Sequence, residues 1–546
     1  MGDVGATWEE LAANSALLRA VSCWREDPDI WLEGSFERLP ETVRVNPLRT
    51  DRGWVEEWLE KVSAKEIEWF NGPGSAWELP FHRGKAEGQV RRVLAALHET
   101  GRITRQESVS MIPVLALGVE AGDMVLDMCA SPGSKTTQIS EHLSESGMVV
   151  ANEVVSSRVN TLVSNVQRHG SRSSVVVNHD GRHIPRMPDD GFDAVLVDAP
   201  CSGSGTTRKN PEIWGKWSPS GGRSLQRLQI DLLGRALRVV KAGGRVVYST
   251  CSLDPIENEA VVAEVLRGSS GVSLLDSSKI LEGVPGEGGM TSWPVLNEDG
   301  TISDREELEE SMTPPVEGWI SESLTNCMRV WNDKVGGGGF FVAIFEKSPE
   351  MDDSWGDPQF HQSPSDAKED LPSSPQPISE ELSESVRGAW GKVPSNLWSR
   401  GKKILWSTPE VTDVWSSDRR IRGGRTVVPG GRWRPLKVIH IGLDAARVRK
   451  GEVDRVVAKA AGALVREMEC GFTEVIQEDI DSVLLGNDPS PSEIDGLGDL
   501  RGGHILTCGD LSIPVWIGGR VSLMLSDSEK TVIRSQRGFV EQLEEE

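Results

Sequence analysis

The middle of the chain alternates short apolar, β-branched runs with amphipathic helical patterns, and this alternation constrains the fold more than any other feature. The strand-like runs are Met124–Met128, Met148–Ala151, Ser174–Val177, Phe192–Val197, Arg245–Tyr248 and Phe340–Phe345. Helical patterns fall between them, as in Ser156–His169 and Leu225–Val240. Strands that alternate with helices at this spacing predict a mainly parallel, doubly wound α/β sheet.

A chain of 546 residues is too long for one hydrophobic core, so several domains are expected. We predict an N-terminal region over residues 1–115 that begins with helices, and the α/β domain over 116–347. Residues 348–388 are rich in proline, serine and acids, which cannot bury enough apolar surface to fold, and predict a linker. Residues 389–546 predict a small β-rich domain, and its strand-like runs are Val438–Ile441, His504–Thr507, Ser512–Trp516 and Val521–Leu525.

The net charge of −24 argues against a generic nucleic-acid binder, which is usually basic overall. The charge is unevenly spread, however, because ten Lys and Arg residues lie between Arg419 and Lys450 against one acid, Asp444. An anionic partner could therefore still be bound locally.

Cysteine usage and segment composition bear on the compartment. The seven cysteines show no paired spacing, which predicts neither a disulfide framework nor a zinc site, and no other metal cluster is evident. A reduced, cytoplasmic protein is expected. We expect no signal peptide and no membrane span, since no apolar run is long enough to cross a bilayer.

Two cysteines follow predicted buried strands. Cys201 closes the run that begins at Phe192, and Cys251 closes Gly244-Arg-Val-Val-Tyr-Ser-Thr-Cys251. Ligands of open α/β sheets bind in the crevice beyond the carboxyl ends of the strands. Two thiols delivered to that crevice, with Asp198 three residues before the first, suggest covalent chemistry. The alternative is that each cysteine is simply a small buried hydrophobe.

The loop after the first strand of this sheet suggests a cofactor site. It reads Asp127-Met-Cys-Ala-Ser-Pro-Gly-Ser-Lys-Thr-Thr137 and opens a helix, whose N-terminus favours an anionic group. The spacing of Lys135 after Gly133 excludes a phosphate-loop NTPase, and the loop lacks the three spaced glycines of a nicotinamide dinucleotide site.

Three acids at successive strand ends fit an adenosyl ligand without phosphate, such as S-adenosylmethionine. They are Glu153, Asp180 and Asp198, and the alternative is that they are solvated strand-end acids. The predicted cofactor-binding residues are Cys129, Ala130, Ser131, Pro132, Gly133, Ser134, Lys135, Glu153, Asp180 and Asp198.

Over roughly residues 40 to 347 the chain resembles the Nop/Sun family of S-adenosylmethionine-dependent RNA cytosine-C5 methyltransferases. The motifs that carry this resemblance are Arg44-Val-Asn-Pro-Leu48, Gly101-Arg-Ile-Thr-Arg-Gln-Glu-Ser-Val-Ser-Met-Ile-Pro113, the 127–137 loop, Asp198-Ala-Pro-Cys-Ser-Gly-Ser-Gly-Thr-Thr-Arg-Lys-Asn210 and Tyr248-Ser-Thr-Cys-Ser-Leu-Asp-Pro-Ile-Glu-Asn-Glu259. The runs Arg105–Pro113, Arg208–Asn210 and Gly338–Ala343 are most like the transfer-RNA branch. Ser204 departs from the family pattern, because that branch usually carries an acid there.

The resemblance implies a Rossmann-like methyltransferase domain, an N-terminal RNA-binding region, a C-terminal PUA-like domain, and a monomer that binds tRNA. It makes Cys251 the nucleophile that adds to cytosine C6, assigns release to Cys201, and places Lys135 near the catalytic pocket. A thiolate adduct makes C5 nucleophilic, and Asp198 is spaced to polarise the ring. Chain position alone leaves the attacking thiol open, since DNA cytosine methyltransferases use a Pro-Cys pair like Pro200-Cys201. Alternative functions are the same reaction on rRNA and a non-catalytic RNA-binding assembly factor.

Overall fold

The computed structural model describes residues 7–188, 190–303, 308–348, 374–421, 424–429 and 436–539. The helices are numbered in chain order: α1 Trp8–Ala13, α2 Ala16–Trp24, α3 Pro28–Phe36, α4 Arg52–Lys61, α5 Gly88–Glu99, α6 Ile112–Leu117, α7 Ser134–Leu143, α8 Ser156–His169, α9 Ile213–Lys216, α10 Pro219–Val239, α11 Glu259–Gly268, α12 Ser277–Ile280, α13 Gly318–Leu324, α14 Glu380–Trp390, α15 Pro409–Trp415, α16 Ala458–Val465, α17 Gln477–Leu485 and α18 Asp527–Gln536. Within the described residues, no helix combines the length and the apolar character needed to cross a bilayer.

The strands are numbered in the same way: β1 Pro40–Val45, β2 Lys65–Glu66, β3 Ser75–His82, β4 Ile103–Arg105, β5 Met124–Asp127, β6 Met148–Asn152, β7 Ser174–Asn178, β8 Phe192–Asp198, β9 Val240–Thr250, β10 Val272–Leu275, β11 Glu287–Gly288, β12 Met328–Val330, β13 Phe340–Lys347, β14 Gln376–Pro377, β15 Leu397–Arg400, β16 Lys403–Trp406, β17 Ser416–Ile421, β18 Gly424–Pro429, β19 Lys437–Ile441, β20 Leu443–Arg449, β21 Glu452–Val456, β22 Phe472–Glu474, β23 Gly502–Cys508, β24 Leu511–Ile517 and β25 Val521–Leu523.

The central sheet has the strand order β11-β12-β13-β9-β8-β5-β6-β7-β19, and β10 pairs with β13. Strands β9, β8, β5, β6 and β7 run parallel, whereas β13 joins β9 in the antiparallel sense. The predicted α/β class is therefore confirmed. The order reverses at β5, between β8 and β6, which is the switch point where such sheets bind ligands.

Both faces of this sheet are buried, which explains the continuous apolar runs. Along β5, Val125 packs into one hydrophobic cluster with α6 and α7, while Leu126 packs into the opposite cluster with α10 and α11. Val149 and Val150 of β6 alternate in the same way. Because successive strand residues point to opposite faces, each strand needs apolar residues at every position.

The last strand of the central sheet comes from the C-terminal part of the chain, contrary to the prediction. The run Val438–Ile441 was expected in a separate β-rich domain, but β19 pairs antiparallel with β7, with Ile441 opposite Val175. Trp415 packs into the core of the central sheet as well. The unpaired edge of β7 can accept any suitable strand, so local sequence does not reveal which sheet β19 joins.

The N-terminal region folds as a small sheet of order β2-β3-β1-β4, with Val93 and Leu97 of α5 in its core. It is joined to the central domain by Arg44 of β1, whose guanidinium bonds Glu141 of α7 at 2.5 Å. Helix α18 packs against this region too, with Val532 in the same core.

The C-terminal part contains a five-stranded sheet β14-β15-β16-β20-β21 and a four-stranded sheet β22-β23-β24-β25. Residues 349–373 of the predicted linker lie outside the described residues. Its end is folded, because α14 buries Leu382, Val386 and Trp390 against the five-stranded sheet. These three apolar residues recur at helical spacing, so α14 forms one buried face although the composition of the segment is acidic overall.

Candidate active site

The two strand-end thiols meet at the carboxyl edge of the sheet. Cys201 follows β8 and Cys251 follows β9, which are parallel neighbours. Their Sγ atoms are 3.2 Å apart. The hydrogen bond to Cys251 and then burial raise the pKa of the Cys201 thiol well above its ordinary value. Cys201 is therefore suited to hold a proton beside Cys251, which lines the open cavity.

Asp198 and Lys135 form an ion pair next to these thiols. Lys135 Nζ lies 2.8 Å from Asp198 Oδ2 and also donates to Ser110 Oγ at 2.8 Å. Ser249 Oγ donates to the other carboxylate oxygen, Oδ1, at 2.9 Å. Burial alone would lower the pKa of Lys135, but the Asp198 carboxylate outweighs it and raises that pKa. The lysine therefore stays protonated and holds the carboxylate in place.

No role was predicted for Ser110 and Ser249, although both lie in motifs that carry the family resemblance. A single serine carries no signal of its own in the sequence, because the function of its hydroxyl depends on a partner that is distant in sequence. Ser110 is 25 residues from Lys135, and Ser249 is 51 residues from Asp198.

Close packing shapes the predicted cofactor loop. Gly133 precedes α7 with φ +110°, and a Cβ there would lie 2.9 Å from Leu162 Cδ1. The Ala130 N–H donates to Asn152 O at 2.8 Å, and Arg158 donates to Ser131 O at 2.8 Å. The loop is thus held by β6 and α8, with small residues where backbone surfaces approach.

Two further backbone carbonyl groups of this loop accept hydrogen bonds from side chains of α8 and α7. Asn165 Nδ2 donates to Pro132 O at 2.7 Å, and Thr137 Oγ1 donates to Ser134 O at 2.9 Å. Burial, with a smaller effect of the Asp127 carboxylate, raises the pKa of Cys129. Cys129 is therefore an unreactive thiol.

The acids at the strand ends differ in their surroundings. Glu153 is buried, with Oε1 accepting the Val155 N–H at 2.7 Å and Oε2 3.4 Å from Arg158. Asp180 caps a short 3₁₀ turn and pairs with Arg182 at 2.6 Å, and this hydrogen bond lowers the pKa of Asp180.

Asp127 is a further strand-end acid, and no role is predicted for it from the sequence. It is fully buried, and burial raises its pKa to about 7 although Thr136 donates to it at 2.6 Å. Its position at the end of β5 could have indicated a role, because the other acids also lie at strand ends.

A cavity of about 960 Å³ opens above Asp198, Lys135 and Cys251. Residues of the N-terminal region, such as Thr42 and Arg83, also line this cavity. Its lining contains seven Lys or Arg side chains and three acids, although the whole chain carries −24. The cations are Arg38, Arg83, Arg105, Lys135, Arg168, Arg208 and Lys209, and the acids are Glu41, Glu107 and Asp198. Five of these cations, Arg105, Lys135, Arg168, Arg208 and Lys209, pair with a carboxylate. The remaining excess of positive charge favours an anionic ligand.

The predicted basic segment Arg419–Lys450 is only partly described. Six of its cations lie outside the residues whose side chains the structure describes: Arg419, Arg420, Arg422, Arg425, Arg432 and Arg434. Lys437, Arg449 and Lys450 are exposed, and Arg447 pairs with Asp444. Among the described side chains, no group of three or more His, Cys, Asp or Glu could hold a metal ion.

Comparison with known proteins finds a family model that matches the central domain. Residues 114–346 match the family model described as 16S rRNA methyltransferase RsmB/F. The chain is 39% identical over 318 residues to the multisite-specific tRNA:(cytosine-C(5))-methyltransferase of Saccharomyces cerevisiae, covering 54% of this chain and 46% of that protein. It is 40% identical over 225 residues to the ribosomal RNA small subunit methyltransferase F of Vibrio campbellii, covering 41% of this chain and 46% of that protein.

The chain thus spans about half the length of the curated relatives it matches. A crystal structure of a methyltransferase homologue from Pyrococcus horikoshii aligns with a TM-score of 0.46 and 27% identity, covering 63% of this chain and 96% of that chain.

Proposed function

We propose that the chain transfers a methyl group from S-adenosylmethionine to cytosine C5 in RNA, and the match of residues 114–346 to the RsmB/F methyltransferase family model supports this reaction. The observation that carries the proposal is the pair of thiols 3.2 Å apart beside the Asp198–Lys135 ion pair. A methyl transfer to a nucleophilic atom needs no second thiol, whereas making and then breaking a covalent adduct at C6 gives each sulfur a task.

The Cys251 thiolate adds to C6, which forms an S–C bond and moves the electrons of the C5–C6 double bond toward C5 and the ring. Asp198, held by Lys135 and Ser249, accepts a hydrogen bond from the exocyclic amine and orients the base. After methylation the C5 proton passes to solvent, the C5–H electron pair restores the C5–C6 double bond, and the S–C6 bond breaks with its electron pair on the Cys251 sulfur. Cys201 holds a proton next to the departing sulfur, because the pKa of Cys201 is raised.

The residues around the 129–134 loop fit S-adenosylmethionine, which supplies an electrophilic methyl group when bound. Gly133 leaves no room for a side chain against Leu162, and α7 directs its N-terminal N–H groups to this point. Glu153 ends β6 and is placed for the ribose hydroxyls, while Asp180 stands at the next strand end.

We propose tRNA as the substrate, because the relative from Saccharomyces cerevisiae is named for tRNA. The second candidate is ribosomal RNA, which the family description and the Vibrio campbellii relative favour. The cationic cavity fits either RNA, because its Arg and Lys side chains can meet phosphates while the base enters between Asp198 and Cys251.

The N-terminal region acts as an RNA-binding wall in this proposal, since it supplies Arg38, Arg83 and Arg105 to the cavity. The C-terminal part acts as the PUA-like domain that the resemblance implies and adds affinity through the Arg419–Lys450 segment. Free working thiols require a reducing compartment, which supports a cytoplasmic enzyme. The monomeric state remains part of the proposal.

The experiment is a methylation assay with radiolabelled S-adenosylmethionine and, in separate reactions, unmodified tRNA and 16S rRNA transcripts. Bisulfite sequencing of the products then locates the methylated cytosines. We expect methylation of tRNA that is lost in Cys251→Ala. Methylation of the ribosomal transcript alone would transfer the proposal to the second candidate, and the absence of 5-methylcytosine in both would refute the reaction.

A further inference from the structure

One buried carboxylate lies directly behind the two thiols. Glu257 is 0% exposed and stands between Cys251 and α11. Its Oε1 accepts the Ser202 N–H at 2.8 Å, and its Oε2 accepts Ser252 Oγ at 2.6 Å. Ser202 Oγ also donates to Oε2. Ser202 follows Cys201 and Ser252 follows Cys251, so a single carboxylate is bonded to the residue after each thiol.

Neighbouring side chains hold both the backbone and the carboxylate of Glu257. Tyr248 of β9 donates its hydroxyl to Glu257 O at 2.6 Å, which anchors the backbone. Gln229 of α10 donates Nε2 to Glu257 Oε1 at 3.0 Å and to Pro200 O at 2.9 Å. The loop of Cys201 is therefore held on both sides of the thiol, at Pro200 and at Ser202.

The two loops also approach through their backbones. The Gly205 N–H donates to Cys251 O at 2.9 Å, and a Cβ on Gly205 would lie 2.8 Å from that oxygen. Ser204 Oγ lies 3.0 Å from Ser252 Oγ. Ser202 Oγ and Ser252 Oγ are themselves 3.3 Å apart, and Glu257 accepts a hydrogen bond from each of these residues next to the two sulfurs. A buried carboxylate that accepts several short hydrogen bonds holds its donors firmly, since leaving it unsatisfied is costly.

We propose that Glu257 is a positioning residue that sets the separation of Cys201 and Cys251. It touches neither sulfur and acts through Ser202 and Ser252. The consequence for catalysis rests on the proposed function: adduct formation needs only Cys251, whereas release also needs Cys201 at hydrogen-bond distance. A shift of about 1 Å in a reacting group can cost about a hundredfold in rate, so the release step depends on this carboxylate more than the addition step does.

The separation can be measured without RNA, by closing the pair to a disulfide with diamide. The two thiols lose two protons and two electrons, an S–S bond forms, and the diazene is reduced to the hydrazine. The rate is followed by mass spectrometry of the peptides, with Cys201→Ala as the variant that cannot close. Wild type should close rapidly because the sulfurs are already 3.2 Å apart.

We expect Glu257→Ala and Glu257→Asp to close this bond about ten- to a hundredfold more slowly, because neither carries a carboxylate that reaches both loops. Glu257→Asp keeps the charge and serves if the alanine variant does not fold. Glu257→Gln should close within about threefold of wild type. Its amide oxygen can accept from Ser202 N–H and Gln229, while its amide nitrogen donates to the two serine hydroxyls.

Glu259 provides the matched control, two residues along the chain. It is also a 0% exposed carboxylate, but it pairs with Arg329 at 2.5 Å. Glu259→Gln should lower the melting temperature and leave the disulfide rate unchanged. The proposal is overturned if Glu257→Asp closes at the wild-type rate, or if Glu259→Gln slows closure as much as the Glu257 variants do.

A second readout follows the reaction itself. With RNA and S-adenosylmethionine, Glu257→Asp should accumulate a protein–RNA adduct stable to denaturation, while Glu259→Gln should not. Equal loss of adduct and product in Glu257→Asp would overturn the role in release. If the disulfide rates differ as expected but the wild type methylates no RNA, the proposed function fails and the positioning role stands.

Discussion

We predict that protonation of His440 weakens the pairing of β19 with β7 at the edge of the central sheet. The side chain is fully buried, with Nε2 2.7 Å from Gly442 O and Nδ1 3.5 Å from Gln167 Nε2. Burial lowers the pKa of His440 to about 4, although the Gly442 carbonyl and Asp444 oppose that shift. Arg400 and Lys403 lower it further. The imidazole is therefore neutral in the folded protein at physiological pH.

The sign and size of the effect follow from linkage. The exposed imidazole binds a proton below its ordinary pKa of 6.5, whereas the folded one does not until about 4. Acid therefore favours the state in which β19 has separated from β7 and His440 is exposed. The free energy of this opening decreases as the pH falls below 6.5. The difference between the two pKa values corresponds to a decrease of about 3 kcal/mol in the opening free energy, with a slope of about 1.4 kcal/mol per pH unit. Below about pH 4 both states are protonated and the loss levels off.

Hydrogen–deuterium exchange of the peptides covering β7 and β19 measures this opening, after correction for the intrinsic pH dependence of exchange. His440→Gln is the matched variant, because its Nε2 can donate to Gly442 O but cannot titrate. We expect the opening free energy to fall by about 3 kcal/mol between pH 7 and pH 4 in wild type, and the slope to shrink in the variant. The same slope in both proteins would refute the assignment to His440.

Three further substitutions test other contacts. Arg44→Met leaves the fully buried Glu141 without its guanidinium partner and should destabilise the protein by about 3–5 kcal/mol in a urea titration; a loss under about 1 kcal/mol would contradict the buried pair. Lys135→Met should lower the single-turnover methylation rate about a hundredfold, because the ion pair orients Asp198. An unchanged rate would remove Lys135 from the site. Arg83→Gln should weaken RNA binding and reduce the salt slope of affinity by about one, and an unchanged slope would exclude Arg83 from the RNA path.

The parts of the fold that sequence predicts are those fixed by local periodicity. Helix α8 spans Ser156–His169 as predicted, because its apolar residues recur along one face. Strand β8 extends the predicted Phe192–Val197 by one residue. Since the ends of parallel neighbours lie together, the meeting of Cys201 and Cys251 also follows from the strand pattern and the resemblance.

The rest depends on contacts between distant segments. Strand β19 shows the same alternation whichever sheet it joins, so only the free edge of β7 decides its place. Glu257 looks like one acid in an acidic stretch, and its role becomes visible only when Ser202, 55 residues away, is seen to bond it. Most of helix α14 falls in the segment that was predicted to be a linker, because acidic residues surround its three buried apolar residues.

The covalent adduct tests the central claim most directly. Wild type, Cys251→Ala and Cys201→Ala are incubated with tRNA and S-adenosylmethionine, denatured and separated by size. If Cys251 attacks C6 and Cys201 serves release, an RNA-linked protein stable to denaturation accumulates with Cys201→Ala alone, and both variants lose turnover. A stable adduct with Cys251→Ala instead would make Cys201 the nucleophile, and the absence of any adduct in all three proteins would contradict covalent catalysis.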